Sequence, residues 1–113
     1  MPQALNLDPR DLVALSEFAR KVRAVLGSDL VALRLFGSKA RGDSGLDSDI
    51  DVAVFVRQAA SGIWDQVLDV AFQVNLAHDV YISPRVLEQR VREDPVWRIT
   101  PFLRAVEREG VPL

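Results

Sequence analysis

Leu35-Phe36-Gly37-Ser38-Lys39-Ala40-Arg41-Gly42 and, a little further on, Ser48-Asp49-Ile50-Asp51-Val52-Ala53-Val54 decide how the rest of the chain is read. An apolar run ends in Gly-Ser, ten residues follow, and two aspartates then stand one residue apart. Four fixed residues at that spacing recur by chance in roughly one chain per thousand of this length, so the pattern is treated as a signal. From Ile50 to Val56 the residues alternate as in a valine-rich strand. Asp49, Asp51, Ala53 and Phe55 share one face; Ile50, Val52, Val54 and Val56 share the other.

Two carboxylates at i and i+2 on a strand have Cα atoms about 6.6 Å apart and repel one another when unpaired. A divalent cation resolves that repulsion. Oxygen-only ligands suit Mg²⁺ or Mn²⁺, which take few protein carboxylates and complete their shell with water and substrate phosphate. The pattern therefore predicts a metal–nucleotide complex. Gly37 lets the backbone approach phosphate oxygens, and Ser38 offers a hydroxyl and an N–H at the start of a short helix. Lys39 and Arg41 add local positive charge; a solvated helix face also accounts for both, and of the two Arg41 is assigned to the nucleotide. A third carboxylate is expected on the adjacent strand, and Asp79 is the acidic residue at that place; it is assigned as general base or second-metal ligand. His78, the sole histidine, reads as structural or exposed.

Working outward, Asp8-Pro9 caps a helix predicted from about Pro9 to Leu26, and Leu30 to Phe36 is a first strand. A second helix is expected over Ser61 to Leu76, a third strand over Asp79 to Ser83, and a helix opening at Ser83-Pro84 and ending near Glu93. A last helix runs from Pro101 to about Glu109. On the second helix Trp64, Leu68 and Phe72 widen the apolar arc from about 100° to roughly 200°, more than one packed face needs. A partner surface and a cover of other elements from the same chain both account for it.

The whole is an α/β (α+β) pattern, expected as one domain over residues 1–113 with a small mixed β-sheet flanked by helices. Its 113 residues are 49% hydrophobic and 27% charged, which excludes a disordered or low-complexity chain. A net charge of −2 provides no basic field for nucleic acid. With no cysteine there is neither a disulfide scaffold nor a thiolate zinc site, which fits a cytoplasmic setting. The longest stretch free of Asp, Glu, Lys and Arg, Val70 to His78, is nine residues, short of the roughly 20 a membrane span requires. The opening Met1-Pro2-Gln3-Ala4 lacks the basic start and apolar run of a secretory signal.

These residues resemble the minimal nucleotidyltransferases of the DNA polymerase β-like superfamily. The resemblance runs from the first helix through the third strand, and the segment from Pro101 to Val111 also looks like the tail of such proteins. It implies the nucleotidyltransferase fold, with Gly37 and Ser38 at the nucleotide phosphates, Asp49 and Asp51 as the metal-binding pair and Asp79 as the third acid. Chains of this length resemble MntA-type antitoxins, encoded beside HEPN-domain ribonuclease toxins. What that implies is an enzyme using Mg²⁺ and ATP to transfer AMP to a tyrosine of the toxin. Transfer to a small molecule of the aminoglycoside kind and neutralisation of a toxin by binding alone are the competing readings. A chain this short has little surface for an acceptor pocket, which favours a protein acceptor or a homo-oligomeric cleft.

Overall fold

The computed structural model describes residues 7–42 and 49–113. Asp8 caps the first helix, α1 (Pro9–Leu26), by accepting the Arg10 N–H at 2.8 Å, and Pro9 occupies the first turn where its missing N–H costs nothing. Strand β1 (Leu30–Phe36) leads into a single turn of helix, α2 (Ser38–Arg41). Strand β2 (Ile50–Val56), helix α3 (Ile63–His78) and strand β3 (Ile82–Glu88) follow, then α4 (Gln89–Glu93), α5 (Pro101–Glu109) and a two-residue β4 (Val111–Pro112).

The sheet order is β3-β2-β1-β4, with β2 parallel to β3 and β1 antiparallel to both β2 and β4. It is the mixed sheet flanked by helices that the pattern predicts. β2 is central, and residues Val52 to Val56 are all fully buried. Ile50, Val52, Val54 and Val56 pack with Leu33, Leu35 and Ile82 against Leu15, Phe18 and Val22 of α1 and Val67, Val70 and Val74 of α3. Ala53 and Phe55 point the other way, onto Phe36 and onto Leu103 and Val106 of α5. The alternation read in the sequence thus sorts two cores, one on each side of β2.

Two expectations are corrected. The third strand begins three residues later than Asp79 and runs to Glu88, and no helix opens at Ser83-Pro84. Pro84 lies on the outer strand of the sheet, where a missing N–H is tolerated. Ile82 and Val86 meet the α1/α3 core while Leu87 meets the α5 core, an alternation of period two that Pro84 and Arg85 disguise.

α3 carries an uncovered stripe. Trp64, Leu68, Phe72 and Leu76, spaced by four, are exposed, with Phe72 at 63% and Leu76 at 70%. Among the described residues nothing folds over them, so of the two readings of the broad arc, wrapping by the same chain is not what the structure shows. No helix is long and apolar enough to cross a membrane among the described residues.

Candidate active site

The antiparallel pairing of β1 with β2 brings the end of one strand to the start of the other, with Phe36 opposite Asp51. Gly37 therefore turns the chain directly beside the acid pair. Its φ of 78° and ψ of −159° lie in a region open essentially to glycine alone. A Cβ at this position would overlap Oδ2 of Asp51 and stand 3.3 Å from its Cγ. The glycine is required by backbone conformation and by the carboxylate pressed against it. Behind it, Ala40 and Arg41 donate their N–H groups to the Gly37 carbonyl at 3.1 Å, closing the turn that presents Ser38.

Asp51 is half-buried and Asp49, one residue ahead of β2, is exposed. Burial pushes the Asp51 carboxyl above its ordinary value, and the negative charge of Asp49 pushes it further; the cations of Arg85 and Arg41 pull the other way. The two acids are close enough to feel each other, as their shared face predicts. Among the described residues no three His, Cys, Asp or Glu side chains gather into a metal cluster. A cation here would have two carboxylates and would need the rest of its shell from water and substrate phosphate, which is the coordination Mg²⁺ accepts. The residual repulsion felt by Asp51 is what such a cation would relieve.

The remaining predicted residues are placed as follows. Arg41 is exposed on α2, acts electrostatically on Asp51 and pairs with Glu109 of α5 at 3.2 Å. Lys39 is 5% exposed and its ammonium bonds Oδ2 of Asp11, itself buried, at 2.7 Å. This cation ties the Gly-Ser turn to α1. His78 faces Glu17 at 3.1 Å, bridging α3 to α1. Asp79 is not on β3. It caps α3 in the left-handed conformation (φ 53°, ψ 49°), exposed, at the same end of the sheet as Asp49 but not gathered with the pair. Aspartate and asparagine tolerate that conformation better than most residues. Asp79→Asn is expected to keep the fold and to lower transfer less than tenfold; a loss rivalling that of Asp51→Asn in the same assay would restore Asp79 to the acid cluster.

The sequence reading missed Ser83 and Arg85. In the parallel register Ser83 stands beside Asp51 and Arg85 beside Ala53, so both share the acid-bearing face. The Arg85 guanidinium lies 5.3 Å from the centre of the Phe102 ring, which in turn meets Phe36 edge-on at 5.3 Å. A cleft of about 600 Å³ along the outer side of β3 is lined by Trp64, Ser83, Arg85, Leu87 and Phe102, among others. The alternation Ser83, Arg85, Leu87 was the available signal, but only the pairing with β2 gives it a face.

A mixed four-stranded sheet with an acid pair at a strand entrance, set against a Gly-Ser turn, defines a nucleotidyltransferase. The chain belongs to the nucleotidyltransferase domain family, whose model matches residues 15–109. It is 31% identical over 98 residues to the "Putative protein adenylyltransferase MJ0141" of Methanocaldococcus jannaschii, covering 86% of this chain and 92% of the relative. A crystal structure of a toxin-antitoxin with AMP-PNP superposes with a TM-score of 0.57 at 21% identity, over 84% of this chain and 68% of that one. The solved structure of a "putative minimal nucleotidyltransferase" does so with a TM-score of 0.55 at 24% identity, over 92% and 95%. These two likenesses concern the fold, and the fold agrees.

Gly37→Ala tests the turn. The backbone strain alone should cost about 1–3 kcal/mol, read as a lowered Tm. Displacing Asp51 should lower transfer by about a hundredfold, as misplacements near 1 Å do. Wild-type stability and rate in this variant would show that the turn does not press on the carboxylate.

Proposed function

We propose that this chain is a Mg²⁺-dependent adenylyltransferase that moves AMP from ATP to a tyrosine of a protein partner, a HEPN-type toxin being the partner the sequence resemblance suggests. The observation that carries the reading is the Asp49–Asp51 pair, with Asp51 held against Gly37 and its carboxyl raised by burial and by its neighbour. The relationship to a protein named as an adenylyltransferase, and a fold shared with a toxin-antitoxin structure, support it.

Asp49 and Asp51 would hold the cation. When bound, the ion supplies positive charge to the transferring phosphoryl group and lowers the pKa of the attacking hydroxyl. Gly37 admits the triphosphate close to the backbone, Ser38 donates to a phosphate oxygen, and Arg41 adds positive charge within reach of Asp51. Arg85, across the register from the pair, faces the same charge. The cleft beside β3 runs between Trp64 and Phe102 to Ser83, next to Asp51, and gives a protein segment a route to the site. The exposed α3 stripe begins beside this cleft at Trp64 and runs back along the helix toward the end of the sheet where β3 begins.

Incubation with Mg²⁺, ATP labelled in the α-phosphate and the folded candidate toxin should label a tyrosine of the toxin. Absence of transfer to a toxin that forms a complex with the chain would overturn the reading in favour of neutralisation by occlusion. Label on an aminoglycoside, with none on protein, would move the acceptor to a small molecule.

A further inference from the structure

We propose that Tyr81 is itself an acceptor, so that the chain adenylylates its own β3 entrance when no partner occupies the site. This rests on the acid pair binding a nucleotide as above. Tyr81 is the single tyrosine of the chain, and its side chain is 66% exposed. Its carbonyl accepts the N–H of Ile50 at 2.8 Å, the amide that lies between the two acids in sequence. Extending the Ile50–Ile82 pairing back by one residue sets Tyr81 next to Asp49. Val80 and Ile82 on either side pack into the α1/α3 core. The residue between them therefore leaves the sheet on the opposite face, the face of Asp49 and Asp51.

Neighbouring strands are about 4.8 Å apart, so the Tyr81 backbone lies one strand spacing from that of Asp49, a residue that would position the triphosphate, and the two side chains leave the sheet on the same face. It belongs to the same acceptor class as the partner tyrosine. An exposed aromatic side chain does nothing for either core here. The step is balanced with ATP as the only co-reactant. The Tyr81 Oη attacks the α-phosphorus, the bond from that phosphorus to the oxygen bridging the β-phosphate breaks, pyrophosphate leaves with the electron pair, and the phenolic proton passes to solvent. The product is a phosphodiester-linked AMP lying over the acid pair.

The test uses the full chain alone with Mg²⁺ and ATP labelled in the α-phosphate, read by intact mass and peptide mapping. One AMP should appear on the peptide carrying Tyr81. The gain should vanish in Tyr81→Phe, whose unchanged Tm shows that the exposed hydroxyl has no structural part, and in Asp51→Asn. Label that persists in Tyr81→Phe overturns the inference. So does a wild-type chain that binds Mg²⁺–ATP by calorimetry, or labels a partner, yet stays unmodified; that result leaves the proposed function standing. A chain that neither binds Mg²⁺–ATP nor labels any protein overturns both.

Discussion

Replacing Asp49 and Asp51 together by asparagine is expected to lower nucleotidyl transfer by three orders of magnitude or more, about 4 kcal/mol of lost transition-state stabilisation. The fold should survive and become more stable. In the folded chain the Asp51 carboxyl is raised, chiefly by burial and then by the charge of Asp49. A carboxyl whose folded pKa lies above its unfolded value opposes folding when ionised. That cost is absent below the unfolded pKa, grows as pH rises through the folded pKa, and is complete above it. In metal-free buffer Asp51→Asn should therefore raise Tm at neutral pH, and the advantage should shrink to nothing in acid. Added Mg²⁺ and ATP should raise the Tm of the wild-type chain more than that of the variant, since a ligand stabilises only the state that binds it. Equal transfer rates would remove the acid pair from the mechanism, and a variant less stable at neutral pH would show that the fold does not oppose ionisation of Asp51. Retained toxin neutralisation by the double variant would point to occlusion.

The second large effect concerns a residue outside the reacting centre. Lys39→Met is expected to cost about 3–5 kcal/mol, because it leaves the carboxylate of Asp11 buried and uncompensated. Against a total stability of about 5–15 kcal/mol, that brings the chain near its threshold. The fall in Tm should be roughly 10–20 °C. Asp11→Leu with Lys39→Met, which removes both charges and leaves apolar groups in their place, should recover most of the loss. Recovery in the double variant identifies the ion pair as the cause; a single variant within 1 kcal/mol of wild type by denaturant unfolding would show that α2 does not depend on α1. Transfer should fall with the single substitution, since α2 carries Ser38 and Arg41.

These two effects mark how far residues alone could be read. α1, β1 and β2 lie where the sequence places them, because each has a strong local period and a stop signal of its own: Asp8-Pro9 before α1, Gly27 after it, Gly37 after β1. The acid pair was equally legible, since alternation along one strand needs no partner to give it a face. Lys39 was not, because nothing in Ser38-Lys39-Ala40-Arg41 reveals that Asp11, 28 residues away, waits inside the protein. β3 was misplaced for a similar reason. Pro84 reads locally as a helix opener, and only an edge position in a parallel pair makes it a strand residue.

Local chemistry thus established the strands, the turn and the two carboxylates, all of which follow from spacings of a few residues. The choice among neighbours belonged to the folded chain. Pairing β3 with β2 left Asp79 on a helix cap and brought Ser83, Arg85 and Tyr81 to the acids, while packing α2 on α1 turned a basic side chain inward. Such choices are made by contacts between residues far apart in the chain, whose energies no single segment contains.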